Sequence, residues 1–430
     1  MRDENKELLS ILKNGLAPAL GCTEPIAVAY STAHAAKKVK GNLEKIKIRV
    51  NRNIYKNGLR VGIPGTDKTG LYVAAALGYL IGEPEKDLEV IESVNDRDVK
   101  DAEILLEDNK IDIEIEESAE RLFIETLIYT DKNSARAITL DKHLNIVEVK
   151  EGKDLEPYKV EKKKVQEKDS EIKKYSLEEI WNFANKIEIE KLAVIEKGIK
   201  LSYEIIEKGK KRGTPLGDSL EKMTEEGIEK ENIMSRAQLL VATASEARMT
   251  GCKKAVMSNS GSGNQGLTAF LSILGVAEVE EVSKEKLYRS LVLSNLITIY
   301  IKSYLGVLSA MCGAVVAAGT AASVATVYLL NGSIEEGFAA AKNVLGVLSG
   351  VICDGAKDGC AYKASLGARW AVRSALLALD NTSIPSSDGV LADNFEDMIA
   401  NLGKVNEGML STDQSIMEIM LEKDETCCLN

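Results

Sequence analysis

The chain has 430 residues, enough for two or three domains, and 45% of them are hydrophobic, so a large core is available. Its formal net charge of −11 argues against nucleic acid as a partner, because binding phosphates needs a basic surface. The N-terminus lacks the apolar run of a signal peptide, so we expect a cytoplasmic protein with reduced thiols.

The first 174 residues show a mixed helix and strand pattern. We expect helices at 4–14 and 26–37, with Thr23 as the N-cap of the second. Alternating apolar residues then predict strands near 46–50, 111–115, 122–129, 137–140 and 146–149. Asn57-Gly58 predicts a hairpin turn. The charge-dense stretch 150–174 predicts a linker or an exposed edge.

Beyond residue 175 the pattern is almost entirely helical. Helices are expected at 187–208, 218–223, 235–248, 267–274, 284–305, 309–330, 334–348 and 364–378. No charged residue occurs from Ser303 to Ser333, but this run is rich in Ala, Gly, Ser and Thr. It predicts buried, closely packed helices and not a membrane span. The expected fold class is α+β, with a large helical domain (1–40 and 175–430) and a smaller α+β domain (41–174) inserted into it.

Three of the seven cysteines stand out by their surroundings. Cys312 lies in the uncharged run, and Cys353 and Cys360 bracket a polar loop that contains two glycines. Three thiolates are one short of a closed tetrahedral metal site, and they are the number that holds an iron–sulfur cluster with one open corner. The spacing is not the C-x₂-C pattern of ferredoxins, and three cysteines buried for packing alone fit it as well.

A second candidate site is the stretch from Ser258 to Gly266, nine small or amide residues that precede a predicted helix. Successive exposed N–H groups at a helix start bind a carboxylate or phosphate. Ser260, Ser262, Gly263, Asn264 and Gln265 are the expected binding residues. The alternative is a flexible connection.

Cys22 is the third candidate, in Gly21-Cys22-Thr23-Glu24-Pro25. It precedes a helix N-terminus, where the helix dipole favours a thiolate. The alternative is a small apolar residue buried at a turn. Scarce histidine, with only His34 and His143 in the chain, argues against histidine-based zinc sites and Ser-His-Asp triads.

Taken together, these motifs resemble the iron–sulfur L-cysteine desulfidases, which are related to the α part of the oxygen-sensitive L-serine dehydratases. The resemblance covers essentially the whole chain. It includes the segments Gly62-Ile63-Pro64-Gly65-Thr66 and Cys353-Asp354-Gly355-Ala356-Lys357-Asp358-Gly359-Cys360. It implies a [4Fe–4S] cluster on Cys312, Cys353 and Cys360, and Cys22 as the catalytic base. It also implies an oxygen-sensitive lyase that breaks L-cysteine down to pyruvate, hydrogen sulfide and ammonia.

An open iron is a Lewis acid for the substrate sulfur, a thiolate is a base for the Cα proton, and an anion-binding loop holds the carboxylate. Three alternatives stay open: an L-serine dehydratase with the same cluster, a pyridoxal-phosphate β-eliminating enzyme, and a non-enzymatic iron–sulfur redox sensor. The substrate is expected to be a small molecule, with no nucleic acid or membrane partner. The sequence leaves three points open. These are the oligomeric state, the roles of Cys252, Cys427 and Cys428, and the identity of the cation that binds the carboxylate (Lys302, Lys363 or Arg369).

Overall fold

Two hydrophobic cores organise the protein, which is described here from a computed structural model. The structure describes residues 4–119, 122–153, 155–160, 170–306 and 309–427. One core is built mainly by helices and the other by a five-stranded sheet with its helices, so the predicted α+β class is confirmed.

The α+β core contains a mixed five-stranded sheet in the order β3-β2-β4-β5-β6. Strands β2 and β3 are parallel, and the other neighbouring strands are antiparallel. The strands are β2 (Leu43–Val50), β3 (Ile111–Ile115), β4 (Phe123–Thr130), β5 (Ser134–Leu140) and β6 (Ile146–Gly152). The predicted strands are therefore confirmed. The alternation in β2 buries Ile46, Ile48 and Val50, whereas Lys47 between them is exposed and Arg49 is half-buried.

Four helices pack with this sheet: α2 (Thr23–Ala36), α3 (Arg52–Gly58), α4 (Leu71–Ile81) and α5 (Asp96–Glu107). The predicted hairpin turn at Asn57-Gly58 is wrong, because the segment is helix α3. Gly58 ends this helix with its Cα against Leu71, where a Cβ would lie 2.0 Å from the leucine side chain. Asn57-Gly58 therefore serves close helix packing here. Helix α2 lies before the predicted domain boundary at residue 40, yet its apolar side chains join the α+β core.

The helical core gathers the remaining long helices. Those that build it are α1 (Glu4–Gly15), α6 (Leu177–Lys186), α7 (Ala193–Arg212), α9 (Ile233–Met249), α10 (Gly263–Val279), α11 (Lys284–Leu305), α12 (Thr320–Leu329), α13 (Ile334–Leu348), α14 (Gly359–Leu379) and α15 (Phe395–Gly408). Helices α8 (Pro215–Glu225) and α16 (Leu410–Cys427) lie at its periphery. A π-helical segment, Ala314–Gly319, leads into α12, and short 3₁₀ turns occupy Pro84–Glu89, Glu171–Lys174 and Ile189–Lys191.

A two-stranded antiparallel sheet joins the start of the chain to its middle. Strand β1 (Leu16–Leu20) pairs with β7 (Ala255–Asn259), and neither strand is predicted from the sequence. The pairing matters for the site, since β1 leads directly to Cys22 and β7 leads directly to the Ser260 turn. In the charge-dense stretch, positions 154 and 161–169 lie outside the described residues, so the predicted linker stays a prediction.

Candidate functional site

Cys312 and Cys353 are held side by side by backbone pairing. Met311 and Ile352 form an isolated antiparallel bridge. The N–H of Cys312 donates to the carbonyl of Val351 at 2.8 Å, and the N–H of Cys353 donates to that of Ala310 at 2.7 Å. The two cysteines are thus diagonal neighbours on the same face of the pair, a relation that places residues about 7–8 Å apart. The sequence predicts Cys312 inside a helix, but it lies just before the π-helical segment.

Cys360 returns to the same place because the loop after Cys353 folds back. Gly355 adopts a left-handed φ of 95°, and a Cβ there would lie 2.5 Å from the carbonyl oxygen of Lys56. The carboxylate of Asp354 pairs with Lys357 at 2.6 Å and with Lys363, which braces the loop. Cys360 then begins helix α14 and directs its Sγ back toward the Gly355 carbonyl, 3.4 Å away.

The three thiols lie close enough to influence one another electrostatically. The pKa of Cys312 is raised to about 12, mainly by burial and in part by the neighbouring Cys353 and Cys360. Burial also raises the pKa of Cys360 to about 11, with Cys353 again acting in the same direction. The three thiols are partly buried, and each makes ionisation of the others less favourable. A cationic metal centre would stabilise the thiolates and so remove this cost.

The donor type and number of these thiols are those of a cluster held at three corners. An iron–sulfur cube binds each cysteine at a different iron, so three thiolates leave one iron without a protein ligand. By donor type and number, Cys312, Cys353 and Cys360 therefore fit a [4Fe–4S] group. Within the described ranges, no group of three or more His, Cys, Asp or Glu side chains is placed to hold a single metal ion.

Cys22 occupies the N-cap position of α2, one residue before the predicted cap Thr23. Its thiol donates to Oε2 of Glu24 at 3.0 Å, and Asn57 donates to Oε1 of the same carboxylate at 2.9 Å. Burial would raise the pKa of Glu24, but the charge of His143 and these hydrogen bonds lower it below its usual value. Glu24 is therefore a buried carboxylate that accepts a hydrogen bond from the Cys22 thiol.

The surroundings of Cys22 do not favour a resting thiolate, contrary to the expectation from the helix N-terminus. Burial and the Glu24 charge raise its pKa well above the ordinary value, although Arg248 acts in the opposite direction. The side chain is 4% exposed and packs with Val61 and Met249 in a small apolar cluster that Cys360 also contacts. The structure thus places Cys22 in a cluster against which Cys360 packs, and its burial favours the protonated thiol.

The nine-residue binding loop is in fact a tight turn between β7 and α10. Ser260 and Gly261 adopt left-handed φ values of 48° and 83°, and Asn259 and Ser262 pair across the turn. Ser262 is the N-cap of α10 and makes no side-chain cap bond. The first-turn N–H groups of Gly263, Asn264 and Gln265 then have no acceptor within the helix. The N-terminus of α10 is therefore the predicted anion-binding element.

The amide side chains of this helix start face different neighbours. Asn264 accepts a hydrogen bond from Nη1 of Arg248 at 2.9 Å, and Nη2 of the same arginine donates to the Gly21 carbonyl at 2.7 Å. Gln265 donates to the Asn259 carbonyl, while its buried Oε1 has no partner in the described part of the chain. A Cβ added to Gly313 would lie only 2.2 Å from this oxygen. The oxygen is therefore close to the backbone of the residue that follows Cys312.

Among the candidate cations, Lys302 and Lys363 both lie close enough to the three cysteines to act on them electrostatically, and Arg369 pairs elsewhere. Lys363 pairs with Asp354, and Arg369 pairs with Glu229 and donates to Gln238. The pKa of Lys302 is lowered to about 8 because burial outweighs the opposing influence of Cys353, Cys312 and Glu24.

Two residues of the site are missed by sequence reasoning. Arg248 is 3% exposed and links the Cys22 turn to the α10 start, but it lies within an ordinary helical pattern. His143 is 7% exposed and is close enough to Glu24 and Lys302 for their charges to act on it. Because the chain has only two histidines, the sequence argues against histidine-based sites in general. A histidine in a hairpin turn has no sequence pattern that would mark it as a site residue.

Comparison with known proteins agrees with this geometry. A family model described as the serine dehydratase alpha chain matches residues 85–418, a range that includes Cys312, Cys353 and Cys360. The chain belongs to the serine dehydratase alpha-chain family. A UPF0597 protein of Clostridium tetani is 41% identical over 97% of this chain and 98% of its own length. Its counterpart in Caldanaerobacter subterraneus is 39% identical, over 98% of this chain and its whole length.

Membership in the serine dehydratase alpha-chain family indicates a lyase of the iron–sulfur dehydratase type. The names of these relatives mention no substrate, so they do not distinguish L-cysteine from L-serine.

In the described residues, the structure contains no helix with both the length and the apolar character needed to cross a membrane. Cys427 is the last residue of α16, and Cys428 lies outside the described residues.

Proposed function

We propose that this protein is an iron–sulfur L-cysteine desulfidase, which breaks L-cysteine down to pyruvate, hydrogen sulfide and ammonia by α,β-elimination. The observation that carries the proposal is the meeting of two groups of residues that are far apart in sequence. Cys312, Cys353 and Cys360 face one another, and Cys22 packs in the apolar cluster that Cys360 contacts.

Cys312, Cys353 and Cys360 would hold a [4Fe–4S] cluster at three corners. When bound, the cluster supplies an open iron that acts as a Lewis acid toward the substrate sulfur. The protein residues do the rest of the work. The N–H groups of Gly263, Asn264 and Gln265, with Ser260 and Ser262 in the preceding turn, bind and orient the substrate carboxylate.

Cys22 removes the Cα proton as general base, and Glu24 assists it. The Cys22 thiol already donates a hydrogen bond to the Glu24 carboxylate, so Glu24 is the acceptor of the thiol proton in an uphill transfer that must precede removal of the Cα proton. Arg248 and Asn264 fix the Cys22 turn relative to the α10 start. The 4% exposure of Cys22 keeps bulk water away from the transferred proton.

L-Serine is the second candidate substrate, because the matching family model is named for serine dehydratase. Both substrates would use the same cysteines and the same base, so the geometry does not separate them. We favour L-cysteine because an open iron of a cluster is a natural partner for a thiolate sulfur.

The test is anaerobic reconstitution followed by measurement of iron, acid-labile sulfide and product release. We expect the reconstituted protein to release sulfide and pyruvate in equal amounts from L-cysteine, with a kcat/KM at least tenfold above that for L-serine. A protein that binds iron but prefers L-serine would be a dehydratase. A protein that binds iron and turns over neither amino acid would support the sensor alternative.

A further inference from the structure

The turn between strands β5 and β6 carries a buried histidine into the site. Asp141, with a left-handed φ of 64°, and Lys142 are exposed, as expected at a hairpin tip. His143 between Lys142 and Leu144 is only 7% exposed. The turn is braced by the Asp141 N–H, which donates to the Leu122 carbonyl at 3.0 Å, and by Asn145, which donates to that of Leu140 at 2.9 Å.

The imidazole of His143 packs on the turn that precedes α10. A Cβ at Gly261 would lie 3.3 Å from Nδ1 of the ring, and the φ of 83° at Gly261 lets the backbone come this close. The other ring nitrogen, Nε2, is buried and has no hydrogen-bond partner among the residues that the structure describes. A buried polar atom without a partner is destabilising, and where it borders a cavity, as His143 does and His34 does not in the part of the chain that the structure describes, a bound ligand can supply the partner.

A cavity of ≈ 410 Å³ lies against this ring. Its lining includes Ser258 and Ser260 from the β7–α10 turn, Lys302 from α11, and Lys142 beside His143. None of the described residues that line it is an aspartate or a glutamate. The Lys302 side chain also lies 3.6 Å from where a Cβ on Gly313, the residue after Cys312, would be, so the cavity adjoins the three-cysteine group. A cavity with two lysines and no carboxylate favours a small anionic ligand.

We propose that His143 is a substrate-binding residue, whose Nε2–H donates a hydrogen bond to the carboxylate of the amino acid bound in this cavity. The inference rests on the proposed function and adds a residue from the α+β core to the carboxylate site. The carboxylate would lie between the His143 ring, Ser260 and the start of α10. The substrate sulfur would then point toward the three cysteines, with the Cα–H toward Cys22.

The test compares two thiols that each lack one end of the substrate. 3-Mercaptopropionate keeps the thiol and the carboxylate, and cysteamine keeps the thiol and the amine. Competitive inhibition constants against L-cysteine are measured for wild type, His143→Leu and a matched control, His34→Leu. His34 is the other histidine of the chain, about 18 Å along α2 from Cys22, and its Nε2 is also buried without a partner among the described residues.

We expect His143→Leu to weaken inhibition by 3-mercaptopropionate about 10- to 100-fold, the effect of losing a hydrogen bond to a charged group. Inhibition by cysteamine should change less than about twofold, since cysteamine offers no carboxylate. His34→Leu should change neither constant. Equal weakening of both thiols, or of neither, by His143→Leu overturns the inference while leaving the proposed function intact. Failure of wild type to turn over L-cysteine overturns both.

A second measurement needs no change at residue 143. In protein labelled with ¹⁵N-histidine, His34→Gln identifies which of the two ring signals belongs to His143. Adding 3-mercaptopropionate to the reconstituted wild-type protein should shift the His143 ring signal and leave the His34 signal in place. An unmoved His143 signal at a saturating concentration contradicts the inference even where His143→Leu fails to fold.

Discussion

The two cores contribute different chemistry to one site. The helical core and its loops supply three mutually facing thiols, Cys312, Cys353 and Cys360, which lie at the ends of helices and at a backbone bridge. The α+β core supplies the proton-handling groups, with Cys22 and Glu24 at the start of α2. Asn57 on α3 and His143 in the β5–β6 turn complete that side.

The difference teaches how the site is assembled. The thiol side is set mainly by backbone geometry, since a bridge and a folded-back loop bring the sulfurs together. The proton side is set by buried polar side chains that hydrogen-bond to one another in a low-dielectric setting, where each contact has a large effect. Changes on the thiol side should therefore remove iron, and changes on the proton side should leave iron and remove turnover.

The largest expected effect is on the thiol side. Cys312→Ala, Cys353→Ala and Cys360→Ala should each reduce iron and acid-labile sulfide after anaerobic reconstitution to near background, and abolish turnover. Two thiolates do not hold a cluster with three protein-bound corners. Cys252→Ala, which removes a buried cysteine of the helical core, is the control and should keep its iron. A full cluster in any of the three variants would remove that residue from the ligand set.

Cys22→Ala tests the opposite side and should lower kcat by about 10²- to 10⁴-fold, the usual contribution of a general base. Iron content should match wild type, because Cys22 is outside the three-cysteine group. Product release and iron are measured on the same preparation. Undiminished turnover would exclude Cys22 as the base.

Glu24→Gln sharpens the comparison within the proton side. The amide cannot accept the proton that the Cys22 thiol donates, so kcat should fall by about 10- to 100-fold with iron unchanged. Glu178→Gln, a change in a first-turn carboxylate of α6 away from the site, is the control. An unaltered kcat in Glu24→Gln would mean that Cys22 loses its proton by another route.

A buried ion pair joins α3 of the α+β core to α16, and removing it should act on stability. Lys56, 1% exposed, contacts Asp413 at 2.5 Å and donates to the Cys353 carbonyl at 3.0 Å. Lys56→Met should lower the free energy of unfolding by about 3–5 kcal/mol, because it leaves a buried carboxylate unpaired. Lys37→Met, which breaks an exposed pair with Glu85, should change it by about 0–1 kcal/mol. Urea unfolding distinguishes the two, and equal effects would contradict the account.

The smallest effect concerns the pH dependence of stability. Burial holds the pKa of His143 below its usual value in the folded protein. As pH falls below about 6.5, the unfolded chain therefore binds a proton before the folded protein does, and stability is lost. In His143→Gln, the free energy of unfolding should decline less between pH 7.5 and 5.5 than in wild type. A steeper decline in the variant would mean that His143 is charged in the folded state.

Local patterns predict the elements of this fold, and most expected strands and helices are present. Lys284–Leu305 and Ile334–Leu348 match their predicted bounds. The failures occur where tertiary contacts override a local signal. Asn57-Gly58 forms the end of helix α3 and not a hairpin turn, because Gly58 packs against the Leu71 side chain. Strand β1 contains Pro18 and pairs with β7, a distant segment of the chain in which Asn259 is the partner of Leu16 and Ala255 is the partner of Leu20.

Site residues can be proposed from the sequence when their residue type is itself characteristic of a particular chemistry. Cysteine suits iron, so Cys312, Cys353 and Cys360 can be proposed from the sequence without any distance. Arg248 and His143 cannot be found in this way, because their surroundings come from distant segments. The ionisation state of Cys22 is also outside the reach of the sequence, since the position of Glu24 and the depth of burial determine its pKa.

The most direct test of the central claim is the Mössbauer spectrum of protein reconstituted with ⁵⁷Fe, recorded with and without L-cysteine. We expect about four irons per chain, three alike and one distinct, with only the distinct iron changing when L-cysteine binds. Iron that is absent, or four equivalent irons that L-cysteine leaves unchanged, would contradict the account.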